Sequence, residues 1–204
     1  MRDTFVPSIW SPSSSPGNRL LNSLRIIGGE WRRGVLRFPD APGLRPTPDS
    51  VRETLFNWLG QDLSGLSCLD LFAGSGALGF EAASRGATRV VLVDRSPKVV
   101  AALADNASRL GAGKRVEIVR SDAVRFISTV GFRFDVLFLD PPFHQGWIDR
   151  LLPLMTDVLV EDGVIYAEAE TVLESCGAWQ TVRQGRTGRV FYHLMRRGEA
   201  DGAE

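Results

Sequence analysis

The chain has 204 residues, 44% of them hydrophobic and 24% charged, and its 24 basic and 24 acidic side chains leave no net charge. That length suits one domain that buries its own core without disulfide or metal staples, and the neutral balance leaves only local charge to speak for a nucleic-acid partner. No apolar run reaches the ~18 residues of a membrane span, and the opening MRDTFVPSIW lacks a secretory leader's apolar stretch.

All but two of the basic residues are Arg, the exceptions being Lys98 and Lys114. Cys68 and Cys176 stand outside any metal-ligand spacing, and Cys68 in its apolar run reads as a small core residue. The expectation is a cytoplasmic protein without a metal and without a membrane partner.

Residues 1–23 include SPSSSPGNR, without apolar periodicity, and predict a disordered tail. Residues 24–60 form a separate extension. LRIIGG and GVLRF are short extended runs around a turn containing Gly and Arg, which predicts a hairpin. RPTPDSVRETLFNWLG predicts a helix with Thr47 as N-cap, Pro48 at the first helical position and Gly60 as its stop, burying Val51, Leu55, Trp58 and Leu59.

Residues 61–198 alternate apolar runs with helical stretches. LSCLDLF, RVVLVD, RVEIV, FDVLFLD and GVIYAEAE are strands, and helices are expected near 77–86, 96–110, 122–130 and 146–159. Apolar strands separated by helices imply a parallel sheet covered on both faces. TVRQGRTGRVFYHLMRR has two extended runs and no helix between them. The fold class is therefore α/β: a Rossmann-like, seven-stranded, mostly parallel sheet closed by an antiparallel C-terminal hairpin, with a short tail at 199–204.

Three strand tips carry a carboxylate: Asp70 in LSCLDLF, Asp94 closing RVVLVD and Asp140 closing FDVLFLD. Ligands of such sheets sit at these carboxyl ends, and a charge so far along an apolar strand is costly without partners. After Asp70, the glycines Gly74, Gly76 and Gly79 complete a GxGxxG that opens a helix, where glycine permits positive φ and close approach of a ligand. Asp94, at the next tip, stands where a carboxylate accepts both hydroxyls of a ribose. The glycine loop and Asp94 fit a nicotinamide nucleotide as well as S-adenosylmethionine. Asp70 separates the two: a carboxylate beside the loop suits a sulfonium with its amino group and repels a pyrophosphate.

The next motif is Asp140-Pro141-Pro142-Phe143. Each proline fixes φ and removes a donor, so the chain leaves its strand as a rigid edge showing a carboxylate, a carbonyl and a ring. An exocyclic base amine is a poor nucleophile because its lone pair is delocalised into the ring. Accepting its two N–H bonds at the Asp140 carboxylate and the Pro141 carbonyl favours a pyramidal nitrogen that faces a methyl donor. Phe143 stacks on the base, an interaction of ~1–3 kcal/mol. The base has to be unpaired or flipped from its stack, and catalysis by such an edge is orientation and electrostatics.

In order and spacing, DLFAGSGALG, VLVDRS, RSDA and LDPPF resemble the amino-methyltransferase class of S-adenosylmethionine-dependent enzymes. LRIIGGEWRRGVLRFP and GLRPTPDSVRETLFNWL ahead of them narrow the resemblance to the bacterial family that methylates guanine N2 in small-subunit (16S) ribosomal RNA. It covers the chain from Leu24 to the late 190s.

The resemblance implies S-adenosylmethionine as cofactor, held by Asp70, Phe72, Ala73, Gly74, Ser75 and Gly76, with Asp94 and Arg95 at the ribose and Asp122 and Ala123 at the adenine. Asp122 also reads as the N-cap of the helix that follows it. The partner implied is ribosomal RNA or the small ribosomal subunit, and the enzyme is expected to be a monomer. Members of the family often end the tetrapeptide in Tyr; Phe143 keeps the stacking face without the hydroxyl and receives no proton-transfer role. His144 beside it invites a general-base role, and water is the alternative base, since the amine loses its proton easily once methylated.

For RNA binding the candidates are Arg25, Trp31, Arg32, Arg33, Arg37 and Arg45, basic groups for phosphate around an aromatic for stacking. Arg183, Arg186 and Arg189 extend the same chemistry near the C-terminus. Three other readings stand beside this one. An amino-methyltransferase acting on another RNA or on DNA, at adenine N6 or cytosine N4, shares the tetrapeptide. A nicotinamide-dependent oxidoreductase leaves Asp70 and the tetrapeptide without a role. A non-catalytic RNA-binding module has no need of the three carboxylates.

Overall fold

The computed structural model describes residues 21–40, 44 and 46–198. Most of the tail expected at 1–23, the tail from 199 and Arg45 lie outside the described residues. A hairpin of β1 (Asn22–Arg25) and β2 (Val35–Phe38) leads to helix α1 (Asp49–Leu59). An alternating run follows: β3 (Ser67–Asp70), α2 (Ala77–Ser84), β4 (Arg89–Asp94), α3 (Pro97–Leu110), β5 (Val116–Arg120), α4 (Ala123–Thr129), β6 (Phe134–Leu139), α5 (Trp147–Leu151) and β7 (Leu159–Ala169). Three antiparallel strands close the chain: β8 (Ser175–Cys176), β9 (Trp179–Thr187) and β10 (Val190–Arg197).

The main sheet has eight strands in the order β5-β4-β3-β6-β7-β10-β9-β8, parallel from β5 to β7 and antiparallel beyond. It is the expected mostly parallel sheet with its terminal hairpin, lengthened at one edge by the two-residue β8. Successive residues of the central strands enter opposite faces. Val90, Leu92, Val136 and Phe138 join one core with α1, α2 and α3, whereas Val91, Val93, Leu137 and Leu139 join the other with Trp147, Leu151 and Trp179. Each Leu, Val or Phe fully buried this way contributes about 1.5–3 kcal/mol.

Several boundaries differ from the sequence reading, among them β7, which begins at Leu159 ahead of Gly163. Strand β1 begins at Asn22, ahead of Leu24. Helix α1 starts one residue late: Pro48 is its N-cap, its carbonyl accepting from the amides of Val51 and Arg52. With ψ of 152° Pro48 is itself extended, so Thr47 lies one residue outside the cap, and its hydroxyl donates instead to Glu168 Oε1 at 3.0 Å. The helix expected over 146–159 ends at Leu151, because Pro153 has no N–H and its ring obstructs the preceding turn; a 3-10 turn over Leu152–Leu154 replaces it.

One buried carboxylate fastens the N-terminal hairpin to the core. Glu81, in the middle of α2, accepts from the amides of Ile27 at 2.9 Å and Gly28 at 2.7 Å, from Arg52 Nη1 at 3.2 Å and from Arg85 Nε at 2.9 Å. Arg52 also donates from Nη2 to the carbonyl of Arg25 at 2.9 Å. Removing one member of a buried ion pair typically costs about 3–5 kcal/mol, because the other charge is left stranded. Glu81→Ala is therefore expected to lose about that much stability in urea unfolding and to deprotect the Ile27 and Gly28 amides in hydrogen exchange. A loss below about 1 kcal/mol, with both amides still protected, contradicts this role.

Candidate active site

The chain winds outward from β3 through β4 to β5, then crosses back so that β6 pairs with the other side of β3. The order reverses between β3 and β6, and an open α/β sheet presents its crevice at such a point. Asp70, Asp94 and Asp140 all lie at this end.

Asp70 closes β3 with 3% of its surface exposed, and its Oδ2 accepts from the Gly79 amide at 3.1 Å. The side chain is thus a buried floor under the glycine loop rather than an open wall. Burial pushes its carboxyl up to about 7 and the nearby Asp94 adds to the rise, while the Gly79 and Phe72 amides oppose it. Above the floor, the Ala73 amide donates to the Val93 carbonyl at 2.9 Å and ties the loop to β4. Gly74 and Gly76 have φ of 49° and 77°, the left-handed region where a side chain is strained. Gly79 answers a different need, for a Cβ there would lie 2.1 Å from Leu92 Cδ2; this glycine lets α2 pack on β4.

Asp94 ends β4, its two oxygens held by separate amides, Gly74 at 3.1 Å and Ser96 at 2.8 Å. That fixes the plane of the carboxylate and leaves lone pairs for hydroxyl donors. Arg95 is exposed beside it, Ser75 is buried, and Phe72 is half-buried with its ring edge-on to Trp147 at 5.3 Å. At the next tip Asp122 caps α4, accepting from the Val124 amide at 3.0 Å, and Ala123 is buried behind it. The loop residues and these three tips therefore share one end of the sheet.

Asp140 follows β6 directly. The parallel register pairs Leu139 with Ala167, which sets Asp140 beside Glu168 on the neighbouring strand. Burial raises the Asp140 carboxyl well above its ordinary range, and Glu168 and Asp70 raise it further. Pro141 is buried, Pro142 exposed and Phe143 half-buried. Together with Trp147, Glu168 and Glu170 they line a cleft of about 90 Å³. His144 is exposed, its Nδ1 3.3 Å from Glu170 Oε1.

Sequence reasoning misses Glu168, Tyr166 and Thr47 as parts of this site. Glu168 is buried, and its Oε1 accepts from Tyr166 Oη at 2.9 Å and from Thr47 Oγ1 at 3.0 Å. A signal exists, since GVIYAEAE also ends in acidic residues at a strand tip. Trp147 escapes for another reason. Its sequence neighbourhood suggests the face of a long helix, whereas it packs against Phe72 at the cleft.

The expected RNA-binding residues divide between two places. Arg25 and Arg37 are exposed on the same face of the hairpin, opposite the buried Leu36 and Phe38. Arg32 and Arg33 occupy the connecting loop, which bonds to the far end of α2: the amides of Glu30 and Trp31 donate to Ser84 at 2.7 and 2.9 Å. Eight helical residues separate that end from the glycine loop, about 12 Å along the axis. Trp31 packs on the core and carries the Arg115 guanidinium 5.2 Å from its ring centre, so this ring holds the loop down. His193 is structural, its buried ring accepting from the Leu173 amide at 3.1 Å.

Among the described residues no His, Cys, Asp or Glu group is placed to hold a metal ion, and no helix is long and apolar enough to cross a membrane.

Residues 24–196 match the family described as Conserved hypothetical protein 95. The chain is 41% identical to "Ribosomal RNA small subunit methyltransferase D" of Escherichia coli strain K12, over 91% of this chain and 98% of that protein. It is 38% identical to the protein of the same description from Haemophilus influenzae, over 84% of this chain and 92% of that one. Among solved structures, "Putative methyltransferase yhhF from Escherichia coli" superposes with a TM-score of 0.77 at 40% identity, covering 86% of this chain and 98% of that one.

The buried Asp70 carboxyl gives the protein a definite pH response. Its folded-state value of about 7 lies above the ordinary 3.8, so its contribution to stability is full below pH 3.8 and is lost as the pH climbs through 7. Urea unfolding from about pH 4 to 8 is expected to show stability falling with pH, with a slope that Asp70→Asn makes shallower. An unchanged slope in that variant contradicts the burial of an ionisable group there.

Proposed function

The chain belongs to the family of the ribosomal RNA small subunit methyltransferases D, and from that premise we propose that it moves the methyl group of S-adenosylmethionine to the exocyclic N2 amine of a guanine in small-subunit ribosomal RNA. The observation that carries this reading is the side-by-side placing of the glycine loop after β3 and the Asp-Pro-Pro-Phe edge after β6. One set of groups suits a sulfonium nucleoside and the other a planar base amine, and the sheet makes them neighbours.

When bound, S-adenosylmethionine supplies an electrophilic methyl on a positively charged sulfur. The residues present fit such a group. The loop backbone is half-exposed at Gly74, Gly76 behind it turns with positive φ, the Asp94 carboxylate is oriented for a ribose, and Asp70 beneath the loop is a buried carboxyl with no ion-pair partner among the described residues. Phe72 and Ser75 border the same loop. Arg95 neighbours Asp94, and Asp122 with Ala123 closes the adenine end.

On the other side, the Asp140 carboxylate and the Pro141 carbonyl accept the two N–H bonds of the amine. Pro142 keeps the edge stiff and Phe143 stacks on the flipped base. The nitrogen lone pair is thereby aimed at the methyl carbon, and its surplus proton leaves to Asp140 or to water. Covalent help from the protein is not required; position and charge suffice.

Residues 24–60 serve as the extension that meets RNA, and residues 61–198 as the transfer domain. A ribosomal substrate places the enzyme in the cytoplasm, and one chain holds every group the transfer uses, so a monomer suffices.

Asp140→Ala is expected to lower methyl transfer to small-subunit ribosomal RNA by about 10²-fold or more, the usual scale for losing one group that binds developing charge. Binding of S-adenosylhomocysteine is expected to survive. Wild-type activity in that variant removes Asp140 from the mechanism. Replacing both Arg25 and Arg37 by Ala is expected to weaken RNA binding and to lower the log–log salt slope by about one for each phosphate no longer neutralised. An unchanged slope excludes this face from the interface.

A further inference from the structure

Asp140 and Pro141 account for the two hydrogens of the amine but not for the choice of base, because adenine N6 and cytosine N4 carry the same two hydrogens. The bases differ in the ring atom beside the amine. In guanine one neighbour of N2 is N1–H, a donor. In adenine and cytosine the corresponding ring nitrogen beside the amine is an acceptor. A carboxylate next to the amine site therefore attracts guanine and repels the other two.

Glu168 stands in that place. The parallel register that pairs Leu139 with Ala167 sets Glu168 beside Asp140, about 4.8 Å away in the sheet, close enough for two carboxylates to grip adjacent N–H groups of one base edge. The side chain lines the cleft with Pro141, Pro142 and Phe143 and is only 6% exposed. Its Oε1 is fixed by Tyr166 Oη and Thr47 Oγ1. Its Oε2 has no hydrogen-bond donor among the described residues. Oε2 is not sealed from solvent, for the one fully buried side-chain polar atom without a partner among the described residues is Arg52 Nε; Oε2 opens on the cleft, where a ligand N–H can take the place of water.

We propose that Glu168 reads the target base: its unclaimed Oε2 accepts N1–H of guanine while Asp140 and Pro141 hold the N2 amine. Glu168 is thus a specificity residue of the transfer, and Thr47 and Tyr166 position it. The proposal rests on the guanine-N2 reading of the site.

Its test compares two substrates that share the 2-amine. In 2-aminopurine N1 is an acceptor, so the base keeps the reacting nitrogen and loses the donor that Glu168 reads. Small subunits are reconstituted from ribosomal RNA carrying either guanine or 2-aminopurine at the methylated position, and kcat/KM is measured for each. The wild-type enzyme is expected to prefer guanine by about 10²-fold. In Glu168→Gln the amide oxygen can still accept from Thr47 and Tyr166, which places the NH2 group where Oε2 was. That variant is expected to lose the preference or invert it.

A residue with a merely structural role lowers both rates together and leaves their ratio unchanged, which overturns the proposal. Equal use of both bases by the wild-type enzyme also overturns it, and that measurement does not depend on the variant folding. Failure of the wild-type enzyme to methylate guanine at all overturns instead the reading on which the proposal stands.

Discussion

The reversal of strand order between β3 and β6 is the constraint from which the site follows. Because the chain runs outward to β5 and returns to the opposite side of β3, the tips of β3 and β6 become neighbours with no helix crossing above them. A glycine loop rising from one tip and a proline-stiffened edge leaving the other are thereby brought together without either having to reach. Carboxylates that would be intolerable in mid-strand gather where ligand atoms can satisfy them: Asp70, Asp94, Asp140 and Glu168. Burial and mutual repulsion raise Asp70 and Asp140 above the ordinary carboxylate range, so the cluster favours occupants rich in donors or positive charge.

A second buried carboxylate connects this site to the N-terminal extension. Glu81 belongs to α2, the helix opened by the glycine loop, and it binds the hairpin backbone together with Arg52 of α1 and Arg85. Just ahead of α1, Thr47 donates to Glu168 in the cleft. The extension is thus bonded to the core at two places, to α2 through Glu81 and Ser84 and to the strand tip beside Asp140 through Glu168. Hydrogen bonds at these two anchors tie the segment presenting Arg25 and Arg37 to the same framework as Glu168 in the cleft.

Much of this is legible in the sequence, and the parts that are not have physical reasons. The parallel strands announce themselves as apolar runs bounded by helices. Asp70, Asp94 and Asp140 stand out because charge at the end of such a run needs an explanation. Local rules fail where long-range interactions decide. Thr47 has the chemistry of an N-cap, yet Pro48 and the pull of Glu168 take its hydroxyl elsewhere. Trp31 sits among arginines in the sequence, but in space its ring is taken by Arg115, more than eighty residues away. Glu168 reads as an ordinary charge in an alternating strand; only the register with β6 reveals that it stands next to Asp140.

The central claim is that a sulfonium donor and a base amine meet in line across the β3–β6 tips. A crystal structure with bound S-adenosylmethionine tests it most directly. The expected result is the ribose on Asp94 and the methyl carbon directed into the cleft at Pro141 and Phe143, leaving room for a nitrogen about 3–3.5 Å beyond it. A donor whose methyl points away from that edge, or a donor bound elsewhere on the sheet, contradicts it.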